Sequence, residues 1–127
     1  FASRFAEIWG EDASENMITF ERERPGRAPV LLVVTADLHP DHKVPLIEQQ
    51  MSGGALCMNL LNAAHALGYV AQWLTEWPAF DEGVKKALGH SADTEIIGFV
   101  YIGSASTPPT ERPRPALETV VSEWTGA

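Results

Sequence analysis

The side chains best suited to nucleophilic chemistry in this sequence are Cys57 and His65. Both lie in one long apolar stretch that the pattern predicts to be a helix, where eight residues correspond to about 12 Å along the axis. That separation exceeds hydrogen-bond reach, so the histidine cannot activate the thiol. A hydrolytic site built on His65, Glu48 or Asp81 lacks a matched nucleophile. The sequence therefore gives little support to covalent catalysis.

The loop LHPDHK offers two histidines, His39 and His42, as metal ligands. Zinc sites need three or four protein ligands, and no Cys/His pair stands elsewhere at a suitable spacing. We therefore interpret the segment as an ordinary polar loop and expect no metal.

Composition narrows the classes of partner. The chain has 127 residues, enough for one domain, and 45% hydrophobic residues, enough for a core. A net charge of −8 disfavours nucleic acid and anionic membranes as partners. The single cysteine excludes an intrachain disulfide, which fits a cytoplasmic protein. No signal peptide is visible, and the start on Phe1 suggests that an upstream part is missing.

The stretch that organises the chain is a predicted helix that begins at Pro45 and ends before Gly68. It carries no charge after Glu48, so we expect it to be apolar nearly all round and buried. Gly53 and Gly54 each destabilise a helix interior by about 1 kcal/mol relative to alanine. Close approach of another backbone or of a flat ligand would offset that cost.

One face of this helix has two possible interpretations. Its members recur at steps of four and three residues: Met51, Ala55, Met58, Asn62 and His65. They form either a core stripe with two satisfied polar groups or a face packed on a symmetry mate or a cofactor.

The flanking segments predict short strands and helices around this helix. We expect the cluster of Arg22, Arg24 and Arg27 among acidic residues to be a solvated connector. The predicted elements are a helix over 1–9, a second helix capped by Asp12 or Ser14, a strand over 29–36 covered on both faces, a strand over 69–73, a helix after Asp81 that Gly89 ends, a strand over 95–103, a proline-rich arm over 104–115 and a last helix over 116–124.

The order of short motifs resembles the flavin-dependent nitroreductase family, and within it a short NAD(P)H nitroreductase subgroup. The strings that carry the resemblance are HKVPLIEQQMSGGALCMNLLNAAHALGYVAQWLTEWPAFDEGVKKALG, EIIGFVYIG and PPTERPRP. Together they extend from about Arg27 to Pro115. The family's N-terminal segment, with its R-R-S phosphate-binding motif, has no counterpart here. We therefore expect residues 1–127 to be a single domain that lacks this segment, with a C-terminal arm over about 104–127.

The resemblance implies an α+β fold with a mixed sheet flanked by helices. It also implies an intertwined homodimer with the long helix at the interface and FMN between the subunits. NAD(P)H would reduce FMN, and a nitroaromatic or quinone acceptor would then take the electrons in a ping-pong exchange. Trp73, Trp77 and Phe80 would shape the pocket of this small aromatic acceptor, unless they serve only as core packing. The alternative is a non-catalytic flavin-binding or dimerising remnant of the same fold.

The resemblance also assigns residues. The turn Trp73, Leu74 and Thr75 matches the family's W-R-S flavin contact, although Leu74 replaces an arginine. A backbone N–H in this turn could donate to flavin N5 or O4, and the N–H of Glu76 is the other candidate.

Two further segments are assigned in the same way. One matches a stretch attributed to NAD(P) in the subgroup: Ala63, Ala64, His65, Ala66, Leu67 and Gly68. Arg112 and Arg114 resemble the family's basic residues at the FMN phosphate, a role that suits the guanidinium fork. Otherwise they belong to an exposed arm and pair with nearby acids.

Overall fold

The computed structural model describes residues 1–126 and contains the predicted helices and strands, except for the last predicted helix. The helices are α1 (Ala2–Trp9), α2 (Glu15–Glu23), α3 (Leu46–Ala66) and α4 (Glu82–Ala87), and the strands are β1 (Val30–Ala36), β2 (Val70–Leu74) and β3 (Glu95–Gly103). Short 3₁₀ turns occupy Gly10–Asp12, Arg24–Gly26, Trp77–Ala79 and Leu117–Thr119. No helix within residues 1–126 combines the length and the hydropathy that a membrane span requires.

The three strands form one sheet in the order β1-β3-β2. Both pairings are antiparallel, with Leu32 opposite Val100 and Ala71 opposite Ile102. The α+β class is therefore confirmed. The parallel pairing that a mixed sheet requires does not occur among residues 1–126, because β3 runs opposite to both neighbours.

Hydrophobic clusters lie on both faces of the sheet because alternate residues of a strand point to opposite sides. Phe99 and Tyr101 of β3 pack on one face with Val84 of α4. Val100 packs on the other face against Cys57 of α3. The prediction that β1 is covered on both faces is correct only toward its end. Its first positions are open, since Val30 is 45% exposed.

Local signals set the bounds of α3 as predicted. Pro45 is its N-cap residue, and Gly68 adopts φ +82°, the left-handed conformation typical of a C′ glycine.

The expectation that α3 is buried all round is wrong for the single chain. The side facing the sheet is closed at Cys57, but Met51 and Met58 on the opposite side are 63% and 52% exposed. The core interpretation of that stripe is therefore excluded within this chain.

The adjacent glycines of α3, Gly53 and Gly54, let side chains of the sheet pack closely against the helix. A Cβ on Gly53 would lie 2.7 Å from Cγ1 of Ile97, and one on Gly54 would lie 3.6 Å from the indole of Trp73. The close approach predicted from these glycines is present. The groups that approach are side chains of β3 and β2, rather than another backbone or a flat ligand.

The predicted cap of α2 is present, whereas the predicted C-terminal helix is not. Ser14, and not Asp12, caps α2, since its Oγ accepts the Met17 N–H at 3.3 Å. The predicted helix over 116–124 is wrong, because only Leu117–Thr119 forms a turn. A short helix needs a packing partner to persist, and Trp124 is 88% exposed here. Residue 127 of the predicted arm lies outside the described residues.

Candidate functional site

Trp73, at the end of β2, is a packing residue. Its Nε1 donates to the carbonyl of Ile97 at 3.0 Å, and its ring lies where a side chain on Gly98 would stand. The ring also approaches Gly54 of α3. The side chain therefore joins β2, β3 and α3.

Trp77 and Phe80, the other aromatics predicted to shape an acceptor pocket, differ in exposure. Trp77 packs edge-on against Trp9 with ring centroids 5.6 Å apart. Its Nε1 is buried and has no hydrogen-bond partner among residues 1–126. Phe80 is 74% exposed. Of the three predicted aromatics, Phe80 alone presents most of its side chain to the exterior.

Thr75 and Glu76, in the turn after β2, are exposed residues. Within residues 1–126, neither backbone N–H donates to a protein acceptor. Glu76 has φ +54° and ψ −172°, and it is the single non-glycine residue with positive φ in the described chain. Such a conformation is uncommon for a residue with a Cβ and often marks a functional turn.

An ion-pair network stands behind this turn. Nη2 and Nε of Arg24 donate to Oε1 and Oε2 of Glu21, each at 2.6 Å, and Nη1 donates to the carboxylate of Glu76. Glu21 and Arg24 are 3% and 5% exposed. The hydrogen bond with Glu21 raises the pKa of Arg24 further above its ordinary range, so the guanidinium stays charged.

The prediction that Arg24 belongs to a solvated connector is therefore wrong, because this side chain is among the most buried polar groups described. Sequence reasoning missed it as a site residue. The available signal was the spacing of Glu21 and Arg24, which places opposite charges on one face at a helix end.

A cavity of about 290 Å³ opens beside the same region. Leu74 lines it together with Tyr101 of β3 and Arg27. The guanidinium of Arg27 lies 3.6 Å from the ring centroid of Phe20, and its Nη2 donates to the Phe20 carbonyl at 3.1 Å. Burial raises the pKa of Tyr101, so its hydroxyl remains protonated at neutral pH. The cavity thus combines an apolar wall with one fixed cation.

The predicted phosphate ligands, Arg112 and Arg114, make no hydrogen bond or ion pair with this turn within residues 1–126. Arg112 and Arg114 are exposed on the arm, and Nε of Arg114 donates to Oε1 of Glu111 at 2.9 Å. This local pair is the alternative that the sequence left open for the arm. Within the described residues, the arm after β3 contains one regular element, the short turn Leu117–Thr119.

The segment predicted to meet NAD(P) is the C-terminal end of α3. Ala64 is buried, whereas Ala63, His65, Ala66, Leu67 and Gly68 are exposed. The N–H of Gly68 donates to the carbonyl of His65 at 3.0 Å, and that of Tyr69 donates to the Ala64 carbonyl at 2.9 Å. These bonds close the helix end, which leaves mainly side-chain surface for a ligand.

The histidine loop has a structural explanation. Gln49 of α3 donates to the carbonyls of His39 and Val44 at 3.0 and 2.8 Å and accepts the His39 N–H at 2.9 Å. His42 Nδ1 accepts the N–H of Val44. Among residues 1–126, no group of three His, Cys, Asp or Glu side chains is arranged to hold a metal ion.

Comparison with protein families gives a match over most of the chain. The model of the nitroreductase family matches residues 4–104. The protein named "Putative NAD(P)H nitroreductase YdjA" of Escherichia coli (strain K12) is 36% identical over 96 residues, which cover 72% of this chain and 50% of that protein. The protein of the same name from Escherichia coli O157:H7 matches to the same extent. The match thus spans half the length of these relatives.

Solved structures share the fold. A nitroreductase-like family protein from Bacillus cereus superposes with a TM-score of 0.79 at 17% identity, over 92% of this chain and 62% of that one. A nitroreductase family protein from Streptococcus pneumoniae TIGR4 gives a TM-score of 0.53 at 14% identity, over 96% of this chain and 56% of that one.

Proposed function

This chain belongs to the nitroreductase family, and we propose that it is part of an FMN-dependent oxidoreductase that uses NAD(P)H. The observation that carries the proposal is the turn at Thr75 and Glu76. Its two N–H groups have no protein acceptor within residues 1–126, and its backbone is held in an uncommon conformation. The turn stands where the sequence matches the family's flavin contact.

The residues present fit the ring end of a flavin. FMN is a flat, partly apolar group with hydrogen-bond acceptors on one edge of its ring. The turn offers two N–H donors for that edge, and the neighbouring cavity offers an apolar wall at Leu74. Its volume of about 290 Å³ is at the lower end of ligand pockets. A second subunit would therefore have to complete the enclosure.

Bound FMN would supply hydride acceptance from NAD(P)H and electron transfer to a nitroaromatic or quinone-type acceptor. The residues of the chain would bind the flavin and orient it. The N–H groups of Thr75 and Glu76 would donate to the ring edge and would stabilise negative charge there. Leu74 excludes water from one side. The exposed ring of Phe80 is available to stack on an aromatic acceptor.

The phosphate and nicotinamide contacts depend on other parts of the chain. Arg112 and Arg114 would hold the phosphate through bidentate hydrogen bonds once the arm docks. The segment 63–68 would contact NAD(P)H through its exposed side chains, His65 among them.

The open face of α3 supports a homodimer. Its exposed apolar side chains include Met51, Met58 and Ile47, which is 55% exposed. Large contiguous apolar surfaces on a helix are typical of interfaces. We propose that a second copy covers this face and that the arm, with its exposed Trp124, also packs on that copy.

A dimerising remnant that binds no flavin is the second candidate. One observation favours it: Arg114 is engaged by the neighbouring Glu111. A remnant would form the dimer through α3 and remain colourless with added FMN.

The test is a visible absorption spectrum of the purified protein, combined with identification of any flavin released on denaturation. FMN in the sample, and NAD(P)H oxidation in the presence of menadione or a nitrofuran, would support the enzyme. A protein that stays colourless and inactive with added FMN would support the remnant.

A matched pair of variants tests the turn itself. Thr75→Pro removes one N–H donor, whereas Thr75→Ala keeps it and removes only the side chain. We expect Thr75→Pro to weaken FMN binding by up to about tenfold, the upper end of the worth of one hydrogen bond between neutral groups, and Thr75→Ala to bind normally. Equal affinities, with circular dichroism showing both variants folded, would contradict the assigned contact.

A further inference from the structure

The positive φ of Glu76 is not explained by the residues next to it in the sequence. A glutamate at φ +54° and ψ −172° occupies a region that glycine populates freely and other residues rarely adopt. Such residues persist only where the surrounding structure over-determines them. The Glu76 carbonyl accepts the Ala79 N–H at 3.2 Å, which fixes the far side of the turn.

The near side of the turn is fixed from a distant part of the chain. Arg24 lies 52 residues earlier and donates to the Glu76 carboxylate. Arg24 cannot follow the turn if the turn moves, because two hydrogen bonds of 2.6 Å tie it to Glu21 on α2. Both members of that pair are buried, whereas the Glu76 side chain is 47% exposed.

We propose that Arg24, held by Glu21, is a positioning residue that keeps Glu76 in this positive-φ conformation and thereby sets the N–H groups of the turn toward a ligand. The ligand part of this inference rests on the proposed function. The conformational part concerns only the chain and can be measured without flavin. The guanidinium does not touch the flavin in this assignment and acts through Glu76.

A purely structural ion pair is the competing explanation, since buried pairs alone are weak evidence of any role. Two substitutions at position 76 separate the explanations. Glu76→Ala and Glu76→Gly both remove the carboxylate and leave Arg24 paired with Glu21. Only alanine retains a Cβ that resists positive φ, so the positioning explanation predicts a larger effect for alanine than for glycine. It also predicts that Arg24→Met has no added effect on the turn once position 76 is glycine, whereas a purely structural pair would leave the Arg24→Met effect in place.

The first measurement is the exchange rate of the Ala79 amide by NMR on the flavin-free protein. This amide is buried and donates to the Glu76 carbonyl, so its protection reports the integrity of the turn. We expect exchange at least tenfold faster in Glu76→Ala and in Arg24→Met, and within threefold of the parent protein in Glu76→Gly. Arg22→Met is the matched control, because Arg22 is exposed in the last turn of α2, two residues before Arg24.

The second measurement is FMN affinity by titration of the full chain. We expect about tenfold weaker binding in Glu76→Ala, binding within threefold in Glu76→Gly, and no further loss when Arg24→Met is added to Glu76→Gly. Equal losses in the alanine and glycine variants, or a full Arg24→Met effect in the glycine background, would overturn the inference. Absence of FMN binding in the parent protein would overturn the proposed function, while the exchange contrast would still uphold the role of Arg24.

Discussion

Replacement of Gly98 by alanine tests how β2, β3 and α3 are joined. Gly98 is buried in the middle of β3, and a Cβ there would overlap the indole of Trp73. The ring must move, and its Nε1 then loses the 3.0 Å hydrogen bond to the Ile97 carbonyl. We therefore expect Gly98→Ala to destabilise the fold.

The magnitude follows from three contributions. Overpacking costs about 1–3 kcal/mol, and the lost hydrogen bond costs about 1 kcal/mol. Replacing a strand glycine would otherwise gain about 0.5–1 kcal/mol. The cost exceeds the gain, and the expected net loss is about 2 kcal/mol, which lowers the Tm by roughly 5–10 °C.

Urea unfolding followed by tryptophan fluorescence measures this loss. Gly26→Ala is the matched control, because Gly26 has negative φ and nothing within 4 Å of its would-be Cβ. In a Trp73→Leu background the indole is gone, so Gly98→Ala should cost little there. A Gly98→Ala protein within about 0.5 kcal/mol of the Gly26→Ala protein would refute the packing explanation.

Three further predictions concern charge, burial and assembly. A hydrogen bond from Arg4 lowers the pKa of the Asp81 carboxyl below its ordinary value of 3.8. The ionised Asp81 carboxylate therefore contributes its full stabilisation above pH 3.8, and this stabilisation is lost as the pH falls through the lowered pKa. Acid titration of unfolding should show a smaller loss of stability in Asp81→Asn, and parallel curves would contradict the pair. Cys57 is fully buried, and burial raises the pKa of its thiol, so a thiol reagent should label it only at the rate of unfolding; rapid labelling of folded protein would exclude this packing. Met51→Lys places a charge on the exposed face of α3 and should dissociate the proposed dimer in sedimentation experiments without lowering helicity. Glu11→Lys, at an exposed position outside α3, should leave the dimer intact, and a Met51→Lys protein that stays dimeric would exclude this face.

The elements were predictable where local chemistry decides them. Pro45 and Gly68 bound α3, and Asp81 caps α4 by accepting the Val84 N–H at 2.9 Å. The last predicted helix failed because its apolar spacing needs a surface to pack on, and Leu117 is 67% exposed. Spacing indicates a possible amphipathic helix, but it cannot supply the partner surface.

The sequence predicted the turn of the candidate site but not the arginine behind it. The turn from Trp73 to Glu76 came from the resemblance, and the resemblance did not indicate that the indole is used for packing. Arg24 was missed because mixed charges next to it are typical of solvated segments. Its spacing to Glu21 is a local signal of a pair, but its contact with Glu76 lies 52 residues away and leaves no local pattern.

The antiparallel sheet has a consequence for how the chain behaves in solution. Since β3 is central, β1 and β2 are both edge strands, and within residues 1–126 each leaves one row of backbone N–H and C=O groups unpaired. The seven residues of β1, VLLVVTA, contain no charge and no proline, the features that normally protect an edge from adding another strand. Coverage of these edges by further chain or by a second subunit therefore decides whether the protein stays soluble or assembles strand upon strand.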